Sequence, residues 1–401
     1  MIKNTLNIKN DFPIFENQKK LIYFDSASTT QKPNSVINKI TEFYSYYNAN
    51  IHRGTYAIAE KSTFEYESVR KETAKFINSK SNEIIFTKGT TESINLIAYS
   101  LSDTFKEGDE ILISEMEHHS NIIPWQMLIA KKNIKLKYIP VNDNGDLDIS
   151  QINKLINNKT KLISITHMSN VIGTINPIKK IIKIAKNHNI LVLIDAAQSI
   201  SHIKIDVQKL NCDFLVFSSH KMMGPTGLGV LYINENKLHE IEPFLRGGHM
   251  IKEVKKNTSI WNDPPWKFEA GTSNIAQVIA FGEAIKYINS TGLQKISNHE
   301  KILLKYFLEK LKLFDNIKIY GHNNDAGPII SFNFQDCHSF DIAKLLDTFG
   351  IAIRSGHHCA QLLMKSLNSN YTNRISLYAY NDLREIDYFI KSLKKVLKIL
   401  N

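Results

Sequence analysis

The sequence predicts an α/β fold: a large domain with a mostly parallel, seven-stranded sheet flanked by helices, followed by a smaller α+β domain. Three observations predict it. Seven short apolar runs are bounded by turn residues, several are separated by helix-period stretches, and the pattern changes after about Gly271. The runs are Glu83–Thr87, Glu110–Ser114, Leu136–Pro140, Lys161–Thr166, Ile190–Asp195, Phe214–Ser218 and Gly229–Ile233. Their length and β-branched content mark them as strands. Between two of them, Pro177–His188 places Ile178, Ile181, Ile182 and Ala185 on one face with lysines opposite, and Pro177 suits a first helical position. Strand, helix, strand in succession implies parallel pairing under a cover of helices, with ligands at the carboxyl ends of the strands.

Past Gly271 the reading is helices over Ile275–Ile288 and Glu300–Leu313, then strands near Lys318–Tyr320 and Ile329–Phe334. A helix near Phe340–Phe349, a strand at Ile351–Ile353 and a terminal helix follow. That helix carries Ile386, Ile390, Leu393, Leu397 and Leu400 at alternating spacings of four and three. The expected division is an N-terminal segment, 1–20, packing with the small domain; a large domain, 21–275; and a small domain, 276–401.

Composition narrows the function. The 401 residues include 50 basic and 39 acidic side chains, a formal charge of +11, with 43% hydrophobic and 22% charged content. This is globular rather than disordered or low-complexity composition. The lysines occur as scattered pairs such as Lys19-Lys20 and Lys131-Lys132, without the basic stripe and interleaved aromatics of a nucleic-acid binder. No stretch approaches the ~18 apolar residues of a membrane span, and the first thirty residues lack the apolar core of a signal peptide. Three cysteines, Cys212, Cys337 and Cys359, are too few for a disulfide framework, so a reducing compartment is expected.

The chemistry concentrates in Ile190–Gly229. One strand delivers Asp195 at its end, followed by Ala196-Ala197-Gln198; another delivers Ser218-Ser219-His220-Lys221 before a Gly/Pro turn. A carboxylate, an amide, a hydroxyl, an imidazole and an amine thus meet at adjacent strand ends. Alone, Asp195 reads as a helix cap and Lys221 as a solvated lysine. Together they form the set that pyridoxal 5′-phosphate requires: a lysine for covalent attachment and an acid that keeps the pyridine nitrogen protonated. Thr87–Ser93 closes a strand and opens a helix at Gly89, a ready anion seat that includes Thr90 and Thr91. A helix terminus contributes only about 0.3–2 kcal/mol per charge, so side-chain donors such as Thr91, Ser218 and His220 must join it. His118 and His119 follow the strand Glu110–Ser114; an imidazole there suits stacking on a ring or binding a metal. No Cys-x-x-Cys or His-Glu-x-x-His spacing supports the metal, and no metal is assigned.

These segments resemble the class V aminotransferase-like enzymes of pyridoxal-phosphate fold type I, and within them the group II (Suf-type) cysteine desulfurases and selenocysteine lyases. The matching segments run nearly the whole chain. They include Tyr23-Phe24-Asp25-Ser26-Ala27, Ile51-His52-Arg53-Gly54, Gly89-Thr90-Thr91-Glu92, Met116-Glu117-His118-His119 and Thr166-His167-Met168-Ser169-Asn170. Further along come Asp195-Ala196-Ala197-Gln198, Ser219-His220-Lys221, Ala270-Gly271-Thr272, Arg354-Ser355-Gly356-His357-His358-Cys359 and Asn373-Arg374-Ile375-Ser376. Four positions depart from the family pattern: Ser28 for Ala, Arg246 for Gly, Ser273 for Pro and Leu362 for Pro. None removes a reacting group.

The resemblance implies that Lys221 carries the cofactor and later moves protons. Asp195 pairs with the pyridinium nitrogen, Gln198 bonds the phenolic oxygen, and His118 stacks on the ring and serves as a catalytic acid–base group. Thr90, Thr91, Ser218 and His220 hold the phosphate with Thr272 of a second subunit, which implies a homodimer with composite sites. Arg374 takes the substrate carboxylate, and His52, Asn170 and Arg354 line the substrate region. The implied reaction takes sulfur from L-cysteine, leaves L-alanine and a persulfide on Cys359, and passes the sulfur to a Suf-system acceptor protein in the cytoplasm for iron–sulfur cluster assembly. L-selenocysteine is a second implied substrate. Arg354, His357 and His358 are expected to favour the Cys359 thiolate. An aminotransferase of the same fold is the rival enzyme and needs no thiol. A non-catalytic sulfur carrier or scaffold is the rival of another class and needs no cofactor.

Overall fold

The computed structural model describes residues 6–321 and 326–400. Residues 1–5 of the expected N-terminal segment, and 322–325 and 401 of the expected small domain, lie outside the described residues. The central sheet has seven strands in the order Ile84–Thr87, Gly229–Ile233, Phe214–Ser218, Leu191–Asp195, Thr160–Thr166, Glu110–Ser114 and Lys135–Ile139. Only Gly229–Ile233 runs antiparallel to its neighbours. The remaining neighbouring pairs, from Phe214–Ser218 to Lys135–Ile139, are parallel. Each predicted strand is present to within a residue at either end.

Alternation along the strands builds both faces. Leu215 and Phe217 enter one apolar core with Val192 and Ile194, while Phe214 and Val216 enter a second with Leu193 and Leu162. Burial on both faces is the reason these runs read as nearly continuous apolar stretches. Helix Ile178–Asn187 covers the first core with Ile178, Ile181, Ile182 and Ala185, as its period predicts. Pro177 precedes this helix rather than opening it: its ψ of 62° is not helical.

A four-stranded antiparallel sheet forms the second layer system, in the order Ile317–Tyr320, Ile329–Phe334, Thr372–Ser376 and Arg354–Gly356. Its core takes Ile386, Ile390 and Leu393 from the terminal helix Leu383–Leu400, with Leu303 and Phe307 from helix Leu293–Leu311. The strand expected at Ile351–Ile353 is shorter and lies outside this sheet. Ile351–Ala352 instead pairs in parallel with Ile22–Tyr23. Residues 22–26, expected within the large domain, are therefore stitched to the smaller one, with Ser376 N–H donating to Phe24 O at 2.7 Å. Helix Ile275–Thr291, expected to open the small domain, packs on helices Asn34–Tyr46 and Ala57–Ile77. The described part of the N-terminal segment joins the small sheet's helices: Leu6 N–H donates to His299 Nδ1 at 3.1 Å, and Lys9 pairs with Glu385.

Candidate active site

The carboxyl ends of strands Leu191–Asp195 and Phe214–Ser218 open onto a cavity of about 220 Å³. Eleven of the fourteen expected site residues line it: Thr90, Thr91, His118, Asn170, Asp195, Gln198, Ser218, His220, Lys221, Arg354 and Arg374. The close approach that seats the anion loop depends on glycine. A Cβ at Gly229 would lie 2.5 Å from Gly89 Cα, so only glycine lets the strand run against the loop. Thr90 N–H, first in helix Thr90–Leu101, then reaches Ser218 Oγ at 2.9 Å.

Burial tunes the titratable groups. The Lys221 amine is pushed down to about 8 by burial, with Asp195 opposing and Arg374 and Arg354 reinforcing the fall. Burial raises the Asp195 carboxyl, against the Ala197 N–H and the Lys221 charge. His118 is pushed down to about 3 by burial and then by Lys221, so its ring is neutral. Ser120 N–H donates to His118 Nδ1 at 3.1 Å, which leaves the ring proton on Nε2. Burial and Lys221 take His220 down to about 4.

These residues fit pyridoxal 5′-phosphate. Asp195 Oδ1 accepts the Ala197 N–H at 2.9 Å, and no hydrogen bond from a described residue reaches its other oxygen. None reaches the Lys221 amine either. Gln198 Nε2 donates to Ala27 O at 2.8 Å, which aims the amide into the cavity with one N–H to spare. Among the described residues no group of three His, Cys, Asp or Glu side chains has the geometry to hold a metal.

Three expected residues are not in the cavity wall. Cys359 follows the wall residue His358, half-buried, with its carbonyl receiving His119 N–H at 2.7 Å and its N–H given to His357 Nδ1 at 3.1 Å. Its backbone φ of 56° and the 53° of His358 are both left-handed, a strained pair for residues with side chains. His358 is pinned to Thr372 and pushed down to about 2 by burial, then by Arg374 and Arg354. A neutral His358 supplies no charge to the thiol, contrary to the expectation. His52 and Thr272 lie elsewhere in this chain: Thr272 lines a separate pocket with Arg53 and His249, and His52 stacks on His249 at 4.5 Å while bonding Glu67 at 2.9 Å.

The sequence reading missed a set of supports. Asp25 Oδ1 accepts Arg374 Nη2 at 2.6 Å; Ser28 Oγ accepts Arg374 Nη2 and Arg354 Nη1, each at 2.8 Å. Ser28 was visible only as a departure from a family pattern. The His220 carbonyl receives Thr30 N–H at 2.9 Å, Thr29 Oγ1 at 3.1 Å and the Lys32 amine at 3.0 Å, so residues 29–32 clamp the turn that carries Lys221. Nothing in the spacing of Thr29–Lys32 signals this.

Comparison with known proteins places the geometry in context. The model of the family "Aminotransferase class-V" matches residues 22–389. The cysteine desulfurase of Wigglesworthia glossinidia brevipalpis is 48% identical over 400 residues, covering 98% of this chain and 97% of that protein. The apo structure of a cysteine desulfurase from Thermococcus onnurineus NA1 superposes with a TM-score of 0.95 at 40% identity, over 99% of this chain and 100% of that one. A cysteine desulfurase from Escherichia coli, solved in an S-sulfonic acid form, gives 0.93 at 32% identity, over 98% of each chain.

Proposed function

The chain belongs to the class-V aminotransferase family, and from that premise we propose that it is a pyridoxal-phosphate-dependent cysteine desulfurase, releasing L-alanine from L-cysteine. The observation that carries the reading is the meeting of the Lys221 amine, the buried Asp195 carboxylate and the Cys359 loop around one cavity. When bound, the cofactor supplies an electron sink for bonds at the substrate's α-carbon. Lys221 attaches it, Asp195 takes the pyridinium N–H, and Thr90, Thr91, Ser218 and His220 hold the phosphate. His118 covers the ring as a neutral imidazole with its proton on Nε2.

Arg374 holds the substrate carboxylate. Its Nε is buried without a partner among the described residues, a donor waiting for an acceptor. Arg354 and Asn170 complete the wall around the substrate. Lys221, near neutrality at about 8, takes the proton from the substrate's α-carbon and returns one to it after sulfur has gone. The Cys359 thiolate attacks the substrate sulfur. An S–S bond forms, the Cβ–S bond breaks with its electrons going to carbon, and a proton completes the methyl group of L-alanine. Cys359 is left as a persulfide, for transfer to a Suf-type acceptor serving iron–sulfur cluster assembly in the cytoplasm. Selenocysteine fits the same cavity, and its weaker Cβ–Se bond breaks more readily than Cβ–S.

We further propose a homodimer in which Thr272 and His52 serve the partner's cavity. Supporting this, helices Asn34–Tyr46 and Ala57–Ile77 expose Tyr46 (79%) and Phe64 (72%) near the His52 loop, the apolar surface an interface would cover. The test is incubation with L-cysteine, with alanine counted and Cys359 inspected by mass analysis for an added sulfur atom. Conversion of L-cysteine to its sulfur-retaining 2-oxo acid when a 2-oxo acid acceptor is supplied, with no alanine from L-cysteine, no sulfur gained by Cys359 and full activity after Cys359→Ala, would replace this reading with the aminotransferase one.

A further inference from the structure

A second cavity, of about 450 Å³, lies behind the active site, and Met168 lines both. A Cβ at Gly327 would come within 2.2 Å of Met168 Sδ, so glycine there lets the methionine seat as the partition. One wall is helix Leu293–Leu311, which turns Leu293, Ser297, Glu300 and Leu304 inward at helical spacing.

Glu300 is the unusual member. It is 2% exposed, and its Oε2 pairs with His202 Nδ1 at 2.9 Å. Its Oε1 is buried with no hydrogen-bond partner. Tyr378 packs edge-on against His202, with ring centroids 5.4 Å apart, and holds the imidazole in place. A buried carboxylate oxygen without a donor costs free energy unless a ligand or water supplies one. Lys204 and Lys301, also in the lining, are exposed and form no ion pair among the described residues. Ile203, Leu293 and Leu304 give the lining its aliphatic surface, with Gln294 and Ser297 as its uncharged polar members.

We infer that this cavity is a binding site for a free α-amino acid with an aliphatic side chain. The ammonium donates to Glu300 Oε1, the carboxylate meets Lys204 and Lys301, and the hydrocarbon lies against Ile203 and Leu304. The volume is within the usual range for small-ligand sites. The inference stands apart from the desulfurase reading, because its readout is binding without turnover.

The experiment is calorimetric titration of the cofactor-loaded enzyme with L-leucine, with the cofactor's visible spectrum recorded at each step. The expected result is saturable one-site heat with an unchanged spectrum, since Met168 separates this ligand from Lys221. Isovalerate and 3-methylbutylamine each lack one charged group and are expected to bind about tenfold or more weakly. Glu300→Gln is expected to weaken L-leucine by a similar factor at unchanged basal activity, and Ser297→Trp to fill the cavity and abolish binding. Absence of saturable heat would overturn the inference. So would heat that arrives with a spectral change and survives both substitutions, because binding would then be in the catalytic cavity.

Discussion

Arg374→Lys tests the assignment of the substrate carboxylate. Arg374 is 1% exposed on strand Thr372–Ser376, and three of its polar contacts are internal: Asp25 at 2.6 Å, Ser28 at 2.8 Å and the Asn170 carbonyl at 3.0 Å. Its Nε alone lacks a partner. An arriving carboxylate can take the unpartnered Nε and, by replacing Ser28 Oγ, the parallel Nη2, the fork geometry that only arginine offers. Lysine keeps a positive charge beside Asp25, and so avoids the roughly 3–5 kcal/mol that follows from stranding a buried charge. It cannot reproduce the second donor. Losing one hydrogen bond to a charged group costs about 1.5–3 kcal/mol, or about 10- to 150-fold. The expected result is a fall of that size in kcat/KM for L-cysteine, carried mainly by KM, with the thermal midpoint nearly unchanged. Alanine release at varied L-cysteine measures it. A KM within about twofold of wild type in a folded variant would place the carboxylate elsewhere, with Arg354 the remaining candidate.

Cys359→Ser is expected to bind L-cysteine, seen as a shift in the cofactor's visible spectrum, yet to release no sulfide in the presence of a thiol reductant; sulfide at wild-type rates would remove Cys359 from the mechanism. Lys221→Ala is expected to lose the covalent cofactor link, so borohydride reduction followed by mass analysis should find no modified peptide; a labelled peptide from another lysine would reassign the amine. Glu117, buried against Thr166 N–H and Asn121, has its carboxyl pushed up from 4.5 to about 8 by burial. The folded state therefore holds a proton that the unfolded chain releases. Stability from this group is full below about pH 4.5 and falls as pH rises toward about 8. Glu117→Gln is expected to flatten that slope in thermal melts across the interval; parallel slopes for variant and wild type would assign the pH dependence to another group.

What could be read from sequence followed the range of the interaction. The strand ends carrying Asp195 and Lys221 were legible because their apolar runs, turns and functional groups are contiguous. The Arg374 clamp was not, because Asp25 and Ser28 stand 349 and 346 residues away in the chain. For the same reason a division into consecutive domains misses that residues 22–26 pair with Ile351–Ala352 and Ser376. The turn at His358-Cys359 was hidden differently. Left-handed backbone is usually announced by glycine, and here two residues with side chains adopt it, held by the His119–Cys359 and His358–Thr372 hydrogen bonds. The neutral state of His358 likewise depends on burial and on two arginines, which no local motif encodes.

The charge of the cavity is set by its own residues rather than by the +11 of the whole chain. Surface lysines beyond a Debye length of about 8 Å are largely screened at physiological salt. Inside, Lys221, Arg354 and Arg374 face Asp195 and Asp25, while His118, His220 and His358 are driven to about 3, 4 and 2, chiefly by burial. The imidazoles are therefore spectators to charge at neutral pH. Two anionic groups, a phosphate and a carboxylate, must enter for the family's chemistry. In the proposed reading the phosphate meets a helix N-terminus and hydroxyls, which leaves the arginines uncommitted to it. Ser28 then matters beyond its size: by accepting from both guanidinium groups it holds two like charges side by side, at the place proposed for the substrate carboxylate, whose charge would relieve their repulsion.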